Sequence, residues 1–261
     1  VRVVNDLGSV LLRARITTRQ RQGNVFAPMH WSDQFAAAAR VNILVPPIID
    51  PVSGQPALKN VAVRVEPLNV AHYVFAVLRE RPATTVLAQL APYWAIAVCP
   101  QGWRLELALT DEIANWELFA QRLFAAPSAL ELLASHDKRL GDHRVAAFSG
   151  SQLIGALFSA PCPVAVSRHW MVQQLTFKHS DPKSRFRLIA GRPGGEHADA
   201  GAIVCSCFGV GINQIVSAVT EQGCMSVQAI GQAVQAGTNC GSCRAEIGGI
   251  INAHCAAHAT A

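Results

Sequence analysis

GAIVCSCFGVGINQIVSAVTEQGCMSVQAIGQAVQAGTNCGSCRAEIGGIINAHC, residues 201–255, decides how the chain is read. Cys205 and Cys207 are one residue apart, Cys240 and Cys243 form a CxxC, and residues 208–239 lie between the two pairs. In that interval Ile212, Ile215, Val216 and Val219 recur at helical spacing. Val227, Ile230 and Val234 do the same after Ser226, a side chain suited to cap a helix N-terminus. A third helix is expected after Cys243, with Ile247, Ile250 and Ile251 turned inward. Two helices joined by a turn return the chain to its starting point, so the flanking cysteine pairs can meet. Gly209, Gly211, Gly237 and Gly241 flank them, where backbone can approach sulfur and turn amides can donate to it. Four thiolates held in this way are the ligand set of a 2Fe–2S cluster. Structural zinc is the alternative, yet zinc sites commonly use two CxxC-like chelates, and CxC is tighter than that spacing. A domain of about sixty residues has a small core and is expected to depend on its inorganic centre to fold.

Outward from this segment, GRPGGEHADAG (Gly191–Gly201) is small, polar and turn-rich and reads as a linker. Residues 202–261 are then a small all-α helix-turn-helix domain. Residues 69–190 read as a mixed α/β middle region. TDEIANWELFAQRLF (Thr110–Phe124) predicts a helix with Thr110 as N-cap, and SALELLASH (Ser128–His136) predicts another. RLELAL (Arg104–Leu109) and SQLIGALFSA (Ser151–Ala160) predict strands. Residues 1–68 are β-rich, with VLLRARIT (Val10–Thr17) and VAVRVEPL (Val61–Leu68) as strand candidates. Gly23-Asn24, Pro46-Pro47 and DPVSGQP (Asp50–Pro56) supply the turns between them. Short strands punctuated by such turns suggest a small barrel, so the whole is an α+β protein.

Composition narrows the function classes. Of the 261 residues 51% are apolar and 15% charged, which suits a globular protein with a sizeable core and roughly two domains. No run approaches the roughly 18 apolar residues of a membrane span. The net charge of +5 is scattered, and the densest basic stretch, RITTRQRQ (Arg15–Gln22), is not interleaved with stacking aromatics, so nucleic acid is not an expected partner. The basic surface instead suits an acidic electron-donor protein. Six of the eight cysteines, Cys205, Cys207, Cys224, Cys240, Cys243 and Cys255, fall in the C-terminal segment. Thiols clustered in a chain of this size point to a metal or cluster in a reducing compartment, hence a cytoplasmic location. Cys99, Cys162, Cys224 and Cys255 lack a partner at chelate spacing and read as ordinary thiols. The chain opens at VRVVNDLG without Met and reads as a piece of a longer polypeptide. No local spacing suggests a Ser/His/Asp set or paired carboxylates, and GVG at 209–211 lacks the rest of a dinucleotide fingerprint. No catalytic residue is therefore assigned, and the piece alone is expected to be inactive.

The CxC, two helices and CxxC, and above all VCSCFGVG and AGTNCGSC, resemble the bacterioferritin-associated-ferredoxin-like domain, also found in nitrogen-fixation scaffold proteins and in nitrite and nitrate reductases. By this resemblance Cys205, Cys207, Cys240 and Cys243 are the 2Fe–2S ligands. Residues 1–68, through RQGNVFAPMHW (Arg21–Trp31), ARVNILV (Ala39–Val45) and DPVSGQPALKNVAVRVE (Asp50–Glu66), resemble the dinucleotide-binding domain of the bis-molybdopterin oxidoreductases. That domain is a double-psi β-barrel in known members. The resemblance maps its cofactor contacts onto Asn42 and Lys59, an amide able to pair with pterin or guanine edges and an ammonium able to neutralise phosphate. It also places His30 and Trp31 near the cofactor and substrate funnel. Read without it, Asn42 caps a turn, Lys59 is a solvated charge, and His30 and Trp31 are packed or hydrogen-bonded side chains.

Barrel, variable middle and cluster domain in this order, with RLIAGRP (Arg187–Pro193) ahead of the cysteines, resemble assimilatory nitrate reductases. The implied function is reduction of nitrate to nitrite at a molybdenum bis(molybdopterin guanine dinucleotide), with electrons relayed through the 2Fe–2S cluster. A 4Fe–4S cluster and the molybdenum ligand belong to upstream residues. The implied electron donor is a ferredoxin, a flavodoxin or an NADH-dependent flavoprotein subunit. Three other readings compete: another molybdenum oxidoreductase of the formate dehydrogenase kind, a non-catalytic electron-transfer or cluster-scaffold protein, and a zinc-stabilised interaction module.

Overall fold

The computed structural model describes residues 1–258 except 19, 30, 31, 59, 126–129, 192, 194–199, 206, 207 and 240, with the backbone alone described over 255–258. The fold is mixed α+β, and the chain divides into two compact units, Val1–Val164 and Ala165–Ala261.

The first unit begins with a three-stranded antiparallel sheet of β1 (Arg2–Asn5), β2 (Gly8–Leu11) and β3 (Arg64–Glu66), in the order β2-β1-β3. Asn5 shapes the hairpin. Its Oδ1 accepts from the amides of Leu7 (3.0 Å) and Gly8 (3.3 Å), and its Nδ2 donates to the Leu44 carbonyl at 2.7 Å. That last bond ties the hairpin to the 3-10 turn Val41–Leu44, whose Leu44 is buried with Val3 and Val10. The expected strand Val10–Thr17 stops at Leu11, and Val61–Leu68 narrows to Arg64–Glu66. The physical reason is pairing. The Leu12 amide takes the Val1 carbonyl, and past that point the described chain offers β2 no ladder, leaving Ile16 fully exposed.

The rest of this unit is a six-stranded antiparallel sheet in the order β5-β6-β4-β9-β8-β7. Its strands are β4 (His72–Leu78), β5 (Tyr93–Cys99), β6 (Gly102–Leu109), β7 (Glu131–Asp137), β8 (Asp142–Ser149) and β9 (Gln152–Ala160). The strands expected at 104–109 and 151–160 lie within β6 and across β9. Alternate residues of the sheet, Val74, Ala76, Leu78, Leu105, Leu107 and Leu157 among them, share a core with Leu87 of α1 (Thr84–Leu90) and Trp116, Phe119 and Leu123 of α2 (Trp116–Leu123). The segment 35–37 lies along β5, where Ile96 N–H donates to Phe35 O at 2.7 Å and Ala37 N–H to Trp94 O at 2.9 Å. That contact blunts one edge of the large sheet.

Two expectations fail here. The helix predicted from Thr110 starts at Trp116, because Asn115 supplies the cap: its Oδ1 accepts from the Leu118 amide at 2.8 Å. The helix predicted over Ser128–His136 is a strand where it is described, β7, paired with β8 from Glu131↔Phe148 to Asp137↔Asp142. Its turn has hairpin chemistry. Asp137 Oδ1 accepts from the amides of Arg139 (2.9 Å) and Leu140 (3.1 Å), and Gly141 takes φ +71. Seven cross-strand pairs with β8 outweigh the weak helical preference of ELLA.

The second unit holds α3 (Arg168–Gln174), α4 (Pro182–Ala190), a two-stranded ribbon of β10 (Ile203–Cys205) and β11 (Val210–Gly211), then α5 (Ile212–Thr220), α6 (Val227–Val234) and α7 (Arg244–His258). Asp181 caps α4 at its start and left-handed Gly191 ends it. The linker expected at 191–201 falls inside this unit, most of it outside the described residues. The three C-terminal helices stand where the apolar spacing placed them. Ile215, Ala218 and Val219 of α5, Ile230 of α6 and Ile247 and Ile251 of α7 form one buried cluster. Ser226 Oγ caps α6 by accepting from Ala229 N–H at 3.1 Å.

Candidate functional site

Cys205 is the last residue of β10 and Cys243 immediately precedes α7, yet both belong to the same buried cluster, 2% and 6% exposed. The α5–α6 hairpin causes this approach, since both of its helices pack on α7 around Ile215 and Ile247. Its entry is tight. The amides of Ile212 and Asn213, at the start of α5, donate to the carbonyls of Ala202 (2.8 Å) and Ala200 (3.0 Å). A Cβ at Gly211 would fall 1.8 Å from that Ala200 oxygen, so only glycine fits there. At the other end Gly237 takes φ +82, and its amide bonds the Cys243 sulfur while its carbonyl accepts from Arg244 Nη1 at 3.3 Å.

The Cys243 thiol is held above the usual thiol range, first by burial and then by its hydrogen bond and charge repulsion with Cys205; the Gly237 amide opposes this. Without a metal the pair is a protonated, partly apolar couple, and a thiolate-seeking centre would displace the protons. Buried sulfurs facing each other, with a backbone amide aimed at one of them, fit an iron–sulfur centre. Cys207 and Cys240 lie outside the described residues. Cys224 flanks the cluster, while Cys99 stands on β5 and Cys162 is exposed. Among the described residues no three His, Cys, Asp or Glu side chains converge as a metal site.

Of the four cofactor-contact residues inferred from resemblance, Asn42 is described, and Lys59, His30 and Trp31 lie outside the described residues. Asn42 sits in the 3-10 turn with its side chain exposed, and its carbonyl accepts from Val45 N–H. Buried Leu44 anchors the turn, and the Asn42 amide faces outward from it. A cavity of about 180 Å³ lies nearby in sequence, lined by Leu11, Arg13, Phe26, Pro28, Ala36 and Tyr93 among others. Asn42 is not among its walls, so the cavity and the inferred contact are separate features.

Sequence reasoning missed a third group. His72, Glu112, Glu117, His136 and His143 gather beside Trp116 on the large sheet. The signal that could have found it is HDKRLGDH (His136–His143): read as a hairpin, it sets the two terminal histidines opposite each other.

Comparison with known proteins bears on the same two segments. Residues 1–62 match the family described as "Molydopterin dinucleotide binding domain" and residues 203–253 the "BFD-like [2Fe-2S] binding domain". The chain is 29% identical to the nitrate reductase of Klebsiella oxytoca over 97% of its own length, and spans 28% of that relative's. It is 34% identical to the assimilatory nitrate reductase catalytic subunit of Bacillus subtilis over 26% of this chain and 9% of the relative. The cysteine-rich segment is 46% identical to the nitrogen fixation protein NifU of Leptolyngbya boryana over 21% of this chain and 27% of that protein. No solved structure matches the chain significantly. Among the described residues no helix is long and apolar enough to cross a membrane. A dinucleotide-binding match, a cluster-binding match and a relative aligned along nearly the whole chain agree: the chain is similar to part of the nitrate reductases, with one segment matching a molybdopterin dinucleotide-binding family and another a 2Fe–2S-binding family.

Proposed function

We propose that this chain serves a cytoplasmic, molybdenum-dependent enzyme that reduces nitrate to nitrite, holding part of the molybdopterin guanine dinucleotide and relaying electrons through a 2Fe–2S cluster. Nitrate takes up two electrons and two protons and yields nitrite and water. Molybdenum, when bound, would supply two-electron chemistry and a 2Fe–2S cluster one-electron transfer. Cys205, Cys207, Cys240 and Cys243 would hold the irons in a helix-turn-helix domain spanning 202–261. The amides of its glycine turns and the burial of its sulfurs tune the potential. Residues 1–68 contribute to a double-psi β-barrel in which Asn42 and Lys59 contact the dinucleotide, with His30 and Trp31 beside it. On this reading residues 69–190 lie between the dinucleotide-binding part and the stretch 191–201 that precedes the cluster domain. A ferredoxin, a flavodoxin or an NADH-dependent flavoprotein subunit delivers the electrons.

The observation that supports this reading most directly is the buried Cys205–Cys243 pair, inside the segment that matches the 2Fe–2S family. Anaerobic reconstitution of the chain with iron and sulfide tests it. Two irons per chain and visible thiolate-to-iron absorption are expected, both lost in Cys243→Ser and Cys207→Ser. A colourless protein carrying stoichiometric zinc after the same treatment would reject the cluster. Nitrate specificity is tested on the full-length enzyme, where reduced donor should be reoxidised by nitrate. Turnover of formate instead would reassign the substrate.

A further inference from the structure

On the β7–β8 hairpin His136 and His143 are direct cross-strand partners, and their Nδ1 atoms stand 3.0 Å apart. Two imidazole nitrogens at that distance share at most one proton, so at least one presents a bare lone pair. His136 Nε2 lies 2.9 Å from Glu117 Oε1 of α2, and a carboxylate only accepts, so Nε2 carries a proton; in the neutral ring Nδ1 is then the lone-pair nitrogen turned to His143. A carboxylate on one ring nitrogen and a lone pair on the other is how proteins orient histidines that ligate metals. His143 is fixed as well: its ring stacks on Trp116, with centroids 5.0 Å apart and planes inclined by 19°.

We propose that His136 Nδ1 and His143 Nδ1 form a binding site for a divalent transition-metal ion of the zinc and nickel class, with Glu117 as the positioning carboxylate. Imidazole is the favoured donor for these ions. Nitrogens at about 2.0–2.1 Å from one zinc are about 3.3 Å apart at the tetrahedral angle, so the pair needs to open by a few tenths of an ångström and the two rings to turn until both lone pairs face the ion. On binding, the proton between the rings moves to the other nitrogen of His143, and both rings stay neutral. Burial, first of all, holds His143 below the usual histidine range, and His136 and His72 push the same way whenever they are protonated. The other groups acting on it are the carboxylates of Asp142 and Glu112, which favour a cation. No third His, Cys, Asp or Glu completes the site among the described residues, so solvent fills the remaining positions. Close by, His72 repeats the same arrangement. It is 6% exposed, its Nε2 meets Glu112 Oε2 at 2.9 Å, its ring lies 6.0 Å from His143, and its buried Nδ1 has no hydrogen-bond partner among the described residues. This site is independent of the cluster and dinucleotide readings, since none of its residues belongs to either.

Calorimetric titration of the chain with Zn²⁺, its cysteine-rich segment first loaded with iron and sulfide, tests the proposal. One zinc per chain is expected to bind at the hairpin. Affinity should fall at least tenfold in His136→Gln and in His143→Gln, fall by about tenfold in Glu117→Gln, and stay unchanged in Cys162→Ser. Nitrogen-15 spectra of the histidine rings give a second readout that does not rely on variants: zinc should move both Nδ1 resonances to the metal-bound range. Wild-type affinity retained in both histidine variants, unmoved Nδ1 resonances, or no zinc uptake by the wild type would each overturn the site and leave a hydrogen-bonded pair.

Discussion

A methyl group at Gly155 would fall 2.7 Å from the ring of buried Phe124, at the point where β9 crosses β4 and β8. The ring is hemmed in by the core shared with Leu123 and Trp116, so it has little room to give. Gly155→Ala should destabilise the first unit by about 1–3 kcal/mol, read from the denaturant midpoint at unchanged slope; an unshifted midpoint would show that the ring moves freely. His143 makes a prediction with a definite sign. Its folded-state proton affinity lies below the ordinary histidine value, chiefly through burial, so the unfolded chain takes up the proton first as pH falls. Stability from this group is complete above a pH of about 6.5 and is lost below it. In metal-free buffer the melting temperature of the wild type should therefore drop between neutral and mildly acidic pH. His143→Gln should flatten that slope, and an equally steep slope in the variant would assign the acid sensitivity elsewhere.

At the scale of elements, caps decide where helices begin, and Asn115 shows how strongly. Its side chain satisfies the Leu118 amide, and Glu117 stands in the first turn where the helix dipole favours a carboxylate. Asn115→Ala should cost about 1 kcal/mol, measured by thermal or urea unfolding, whereas Thr110→Ala, at the cap expected from sequence, should change little. The contrast explains what could be read in advance. Ile212 to Val219 and Val227 to Val234 announce their helices because each has a cap or glycine entry and one apolar face, and the fold agrees with the local preference. Arg104–Leu109 and Ser151–Ala160 read as strands because buried sheets select such runs. Ser128–His136 misled because ELLA is helix-forming in isolation, and its conversion to β7 depends on β8, whose pairing residues begin beyond the Asp137–Asp142 turn. Long-range pairing of this kind is invisible to local propensity. The same blindness hid the histidine pair, which exists only once the hairpin does. By contrast, the approach of Cys205 to Cys243 is set by a local helical hairpin and could be read from spacing alone.

For the whole molecule, the two units differ in what holds them together. The first has a six-stranded sheet with two helices on one face and an apolar core that includes Trp94, Trp116, Phe119 and Leu157. The second draws its C-terminal core from Ile215, Val219, Ile230, Ile247 and Ile251 and a few small neighbours, around buried Cys205 and Cys243. A core that small supplies only a few kcal/mol, so ligation of the cysteines becomes folding free energy for this region. The first unit has no such dependence. Loading the chain with iron and sulfide and then stripping it with a chelator under reducing conditions should therefore act unevenly. Helical circular dichroism should fall and amides in α5, α6 and α7 should lose hydrogen-exchange protection. Amides of β4, β6, β8 and β9 should keep theirs, because the hydrophobic burial that protects them involves no metal. Reloading the metal should restore the helical signal to the wild type and leave Cys243→Ser unresponsive. Equal loss of protection in both units, or helices that ignore the chelator, would mean that the apolar cluster around Ile215 and Ile247 holds the C-terminal region without its inorganic centre.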